Sequence, residues 1–126
     1  MATQKTAPKF LNLLRIKLPP GGIASIGHRI SGVLMFLSIP LVTWLFGLSL
    51  ESPQGFRAVQ EQRDSLLLLL LSLVLVWSLS HHLLAGIRHL LLDIEIGVCK
   101  ASARASAWLV NIGALMLTVL YLAMVV

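Results

Sequence analysis

From Ser65 to Leu92 the chain is almost unbroken apolar sequence with a single formal charge, at Arg88. It opens with LLLLLLSLVLVW and closes with SHHLLAGIRHLLLD, which runs on to Asp93. As a helix the run is roughly 40 Å long, more than the hydrocarbon core of a bilayer, so it tilts or brings its histidine end to the interface. Residues 30–50 and 105–126 are apolar runs of similar kind. In lipid every backbone N–H and C=O needs an internal partner, which leaves helices for spans of this length. The predicted fold is therefore all-α and integral to the membrane, with three transmembrane helices. Composition agrees: 12% of residues are charged and mean hydropathy is +0.89, whereas a soluble domain carries about 25% charge.

The spans divide the chain into a basic leader, residues 1–22, and a transmembrane domain, residues 23–126. In the leader, FLNLLRIKL reads as a short amphipathic segment on the membrane surface. Pro19-Pro20-Gly21-Gly22 is expected to break any helix, so the first helix starts near Ile23 or Ala24. Pro40 lies within the first span, where neighbouring helices can satisfy the carbonyl it frees. The first connection, ESPQGFRAVQEQRD, begins as a turn at Pro53 and Gly55, and Gly97 reads as a helix stop in the second. No cleavable signal peptide is read in the first apolar run.

The net charge of +5 does not point to nucleic acid, because the basic residues sit beside the spans. Lys5, Lys9, Arg15, Lys17, Arg29, Arg88, Lys100 and Arg104 fall on one side and Arg57 and Arg63 on the other. This eight-to-two asymmetry predicts a cytoplasmic N-terminus and second connection. The single cysteine, Cys99, cannot form an intrachain disulfide or a metal site alone. In the third span Asn111 reads as interhelical glue.

Polar groups at membrane depth mark functional sites by default. His82, Gly86, His89 and Asp93 share one helix face, at i, i+4, i+7 and i+11. Two readings stand. The face could carry a flat macrocycle, with one imidazole on its iron, Gly86 leaving room for the ring and polar groups at its acidic edge. Alternatively, the histidines only hydrogen-bond neighbouring helices. His81 lies about 100° around the helix from His82 and reads as a packing residue. His89 is about 10 Å along the axis, too far to share an iron with His82. Antiparallel pairing brings Ser25, His28, Arg29 and Ser31 to the same depth as His82, Arg88, His89 and Asp93. Polar groups confined to one side argue against a channel or transporter.

Two segments carry a family resemblance. IASIGHRISGV, from Ile23 to Val33, resembles the Ser-x-x-His-Arg-x-[ST]-Gly segment of the cytochrome b subunit of succinate dehydrogenase, respiratory complex II. HHLLAGIRHLLLD, from His81 to Asp93, resembles that family's His-x-x-x-Gly-x-Arg-His-x-x-x-Asp segment. Chain length, span number and motif order also fit. The leader departs: Ala7-Pro8 lacks the family's arginine, and no Ser-Pro-His follows.

The resemblance implies an anchor subunit of succinate:quinone oxidoreductase in a bacterial inner membrane, helping pass electrons from succinate oxidation to ubiquinone. Its partners would be a flavoprotein, an iron–sulfur subunit and a second small membrane subunit. The chain would form half of a haem-binding bundle that the second membrane subunit completes. His82 would be an axial ligand of haem b, with the other ligand from that subunit. His28, Arg29 and His89 would lie near the haem edge. Ser25 and Arg29 would help form the quinone site, Ser25 through a hydrogen bond and Arg29 by stabilising charge. Taken alone, Ser25 also reads as a helix N-cap and Arg29 as a residue snorkelling to headgroups. Arg88 and Asp93 could pair across a turn. The chain has no Gly-rich dinucleotide loop and no cluster-binding cysteine set, so succinate chemistry would lie on other chains. A fumarate reductase anchor and a haem-free structural anchor are the alternatives.

Overall fold

The computed structural model describes residues 17–62 and 65–126. The leader segment FLNLLRIKL therefore lies outside the described residues except for Lys17 and Leu18. Four helices follow in order: α1, Pro20–Glu51; α2, Pro53–Glu61; α3, Leu66–Asp93; and α4, Lys100–Val125. Three of them, α1, α3 and α4, are long and apolar enough to cross a membrane. All three pack against one another, while α2 packs on α1.

Apolar residues cover these helices all round, so there is no narrow apolar stripe to bury. Phe36 is 71% exposed and Leu90 68%, as expected of surfaces that meet lipid or another membrane chain. The buried core is small: Ala24, Ala85, Ala107, Val110 and Ala114. Residues of that size let helix backbones approach closely, which is how membrane helices gain packing without a hydrophobic drive between them.

Helix α1 begins at Pro20, a turn earlier than the Pro-Pro-Gly-Gly sequence predicts. Proline is at home at the first helical position, where its missing N–H has no intrahelical partner to lose. Ser25 is thus the sixth residue of the helix, and its reading as an N-cap is excluded. Pro40 lies inside α1 without ending it.

The first connection is also more ordered than a turn. Ser52 caps α2 by accepting a hydrogen bond from the Gly55 N–H at 3.0 Å, and Pro53 takes the first helical position. Gly55 is buried, and a Cβ there would run into the Leu48 carbonyl. The Ser-Pro pair was the legible signal for this helix.

At the other end, α3 stops before Gly97. The Ile96 N–H bonds to the Leu91 carbonyl at 2.8 Å and the Glu95 N–H to the Leu92 carbonyl at 3.0 Å. This is the Schellman arrangement, and it puts Glu95 in the left-handed region with φ 62°. Gly97, with φ 78°, takes the next left-handed position in the connection.

Candidate functional site

Close packing of α1 on α3 positions the site. Ala24 and Ala85 are fully buried, and Gly27, Gly32 and Gly86 leave hollows that imidazoles fill. The His82 ring lies against Gly32, where a Cβ would stand 3.1 Å from its Cε1. His82 Nδ1 is 3.1 Å from the carbonyl oxygen of His28 and 3.3 Å from Ser31 Oγ. Ser31, fully buried, donates to the same carbonyl at 2.9 Å.

These contacts set the tautomer of His82. A carbonyl can only accept, so Nδ1 donates to it, and in the neutral ring the lone pair is on Nε2. Nε2 makes no hydrogen bond among the described residues, and the ring is partly exposed at the surface of the three-helix unit.

The His28 ring stacks on that of His82, with centroids 4.1 Å apart and planes 16° from parallel. Its other neighbour is His89, 5.2 Å away and tilted by 49°. A Cβ on Gly86 would stand 3.6 Å from His28 Nε2. The notch that the α3 sequence offers to a macrocycle is therefore filled by His28. The expectation of ring space at Gly86 is corrected: the His28 imidazole faces Gly86.

Among the described residues, no three His, Cys, Asp or Glu side chains converge as a metal site. A single imidazole with Nδ1 fixed by a carbonyl does fit an iron that brings its other in-plane ligands with it. The donor chemistry of His82 would suit a haem iron.

Ser25 and Arg29 sit four residues apart on α1, on one face. Ser25 is partly exposed and Arg29 exposed. Arg29 borders a shallow apolar groove with Ile30, Val33 and Leu34. A cation beside an apolar groove can hold a flat, weakly polar ring that gains negative charge.

Arg88 does not pair with Asp93. Its Nε donates to Ser106 Oγ at 3.1 Å and its Nη2 to the Ala103 carbonyl at 3.2 Å. It also lies beside Gly21, whose Cβ would stand 3.4 Å from Nη2. A long side chain inside a packed three-helix crossing finds α4 before it can fold back along its own helix. Asp93 is exposed at the end of α3.

His81 and Asn111 form a contact that motif spacing does not show. His81 Nε2 donates to Asn111 Oδ1 at 3.2 Å, and Asn111 Nδ2 donates to the Pro20 carbonyl at 3.4 Å. The pair joins α3, α4 and the start of α1, which bears out the reading of Asn111 as interhelical glue. The available signal was one strongly polar residue in a charge-free span, without an indication of its partner.

In the second connection, Cys99 is exposed at the N-cap of α4, with Sγ 3.2 Å from Ser102 Oγ. The Ser102 hydroxyl beside it holds the thiol below its ordinary pKa.

Residues 3–121 match the family of succinate dehydrogenase/fumarate reductase transmembrane subunits. The chain is 35% identical over 105 residues to the succinate dehydrogenase cytochrome b556 subunit of Coxiella burnetii, covering 82% of this chain and 83% of that one. It is 34% identical over 106 residues to the subunit of the same name from Paracoccus denitrificans, covering 84% and 82%.

Proposed function

The chain belongs to the succinate dehydrogenase/fumarate reductase transmembrane subunit family, and from that premise we propose that it is the haem b-bearing anchor of a succinate:quinone oxidoreductase. The observation that carries the proposal is the His82 contact: Nδ1 lies 3.1 Å from the His28 carbonyl, which leaves Nε2 as the nitrogen that would serve as a ligand. The names of both relatives, cytochrome b556 subunits, agree with a haem. Bound haem b supplies a one-electron carrier within the membrane. His82 would hold the haem iron through Nε2, and a second membrane subunit would complete the site at the part-exposed His82.

His28 and His89 stand beside His82 and offer imidazole donors to acidic groups at the haem edge. Arg29, next to His28 in the chain, adds a cation, and with Ser25 it forms the proposed ubiquinone site. Ser25 holds a quinone carbonyl by hydrogen bond, and Arg29 stabilises negative charge as the ring is reduced. A flavoprotein and an iron–sulfur subunit bring the electrons, since this chain's one cysteine cannot hold a cluster. The eight-to-two distribution of basic residues orients the N-terminus and the α3–α4 connection to the cytoplasm of a bacterial inner membrane. The relatives' names favour succinate oxidation over fumarate reduction.

The test is the reduced-minus-oxidised spectrum of purified His82→Leu complex after all subunits are shown to assemble. Loss of the b-type band, or conversion of low-spin to high-spin haem, is expected. An unchanged band with unchanged spin state removes His82 as ligand.

A further inference from the structure

His81 is 3% exposed, yet its Nδ1 has no hydrogen-bond partner among the described residues. A buried polar atom without a partner lowers stability. The ring is nevertheless held tightly. A Cβ on Gly27 would stand 2.5 Å from its Cε1, Trp77 lies 5.2 Å away between ring centroids, and Nε2 bonds to Asn111. A polar group kept at such a cost can specify one arrangement among several.

The arrangement that needs specifying is the rotation of α3 about its own axis. Much of that helix is leucine on every side, and lipid is as apolar as leucine, so burial gives little rotational preference. Yet His82 demands one. Its ring lies about 5–6 Å from the helix axis, so a 20° rotation moves it about 2 Å. That is enough to break the bond to the His28 carbonyl, already 3.1 Å long. Consecutive residues project about 100° apart, so His81 turned inward toward α4 sets where His82 points. Arg88, tied to Ser106 and Ala103, holds the same helix about two turns further on.

We propose that the His81–Asn111 pair is a positioning device for the haem ligand: it fixes the rotation of α3, and through it the orientation of the His82 ring. The inference rests on the reading of His82 as an axial ligand. His81 and Asn111 touch neither iron nor quinone in this role.

The test uses the assembled complex with His81→Leu, Asn111→Ala, the double variant, His81→Gln, and His82→Leu as the control. Three quantities are read: haem content under limiting haem supply, the low-spin electron paramagnetic resonance g-values, and the haem midpoint potential. His81→Leu and Asn111→Ala should each keep a low-spin haem b but retain it roughly tenfold less well, the lower end of what loss of outer support costs a metal site. Both should move the g-values and the potential in the same direction. The double variant should fall well short of the sum of the two single ones, because both remove the shared His81–Asn111 contact. His81→Gln, which keeps a donor for Asn111, should restore the wild-type values. Wild-type g-values and potential in both single variants overturn the proposal, as does a double variant whose effects simply add. If His81→Leu fails to assemble, Asn111→Ala decides alone: Asn111 is only partly buried and its truncation leaves the imidazole packed on Gly27. Loss of low-spin haem in His82→Leu beside unaltered His81 and Asn111 variants would reject the positioning role and keep the ligand. An unaltered His82→Leu complex would reject both.

Discussion

The Nδ1 nitrogen of His82 lies 3.1 Å from the carbonyl oxygen of His28, a residue 54 positions earlier in the chain. The same His28 stacks its ring on that of His82 at 4.1 Å. One residue therefore acts twice: its backbone carbonyl meets Nδ1 of His82, and its side chain covers one face of that ring. The carbonyl contact survives any substitution of the His28 side chain that preserves the helix, because a carbonyl belongs to every residue. Ser31 Oγ, bonded to the same carbonyl at 2.9 Å, is the side chain that shares in it.

Ser25, partly exposed, and Arg29, exposed, share one face of α1, and Arg29 borders an apolar groove. Arg29→Leu should lower quinone reduction on the order of a hundredfold, the scale seen when one charge-stabilising donor is removed. Ser25→Ala should lower it less. Succinate oxidation by an artificial acceptor that takes electrons upstream should stay near wild type in both. Quinone reductase rates at wild-type level would move the site elsewhere. A parallel fall of both activities would make the residues supports for assembly.

Cys99 is the only cysteine, exposed and outside the spanning helices, so it reports topology. A membrane-impermeant maleimide should label it in inverted vesicles stripped of soluble subunits and spare it in right-side-out vesicles. The reverse pattern would invert the orientation read from the basic residues. Thiolate is the reactive form, and the Ser102 hydroxyl lowers the thiol pKa. Ser102→Ala should therefore slow labelling near pH 7, with the difference vanishing well above the ordinary thiol pKa. Equal rates at pH 7 would show that the hydroxyl has no influence on the thiol.

Glu95 holds a left-handed conformation, φ 62°, at the position that ends α3. A residue with a Cβ pays about 1 kcal/mol or more there, and glycine does not. Glu95→Gly should stabilise the purified protein by about 1 kcal/mol in thermal unfolding, less the extra freedom glycine adds to the unfolded chain. Gly97→Ala, at φ 78°, should destabilise it by a similar amount. A lower unfolding midpoint for Glu95→Gly would disprove the account of this turn.

The amino-acid sequence alone determined the three apolar helices, because their signal is length and hydropathy, both local properties. It also determined which residues share the His82, Gly86 and His89 face, since helical period places them there in any packing. It did not determine what meets that face. His28 entering the Gly86 notch, Arg88 reaching Ser106 instead of Asp93, and His81 finding Asn111 all depend on the rotation of each helix about its axis. Apolar side chains cover these helices on every side, so the sequence pattern carries little information about that rotation. A handful of small and polar residues at the crossing of α1, α3 and α4 decide it, through contacts between positions 18 to 91 residues apart. Only in the tertiary structure do those positions touch.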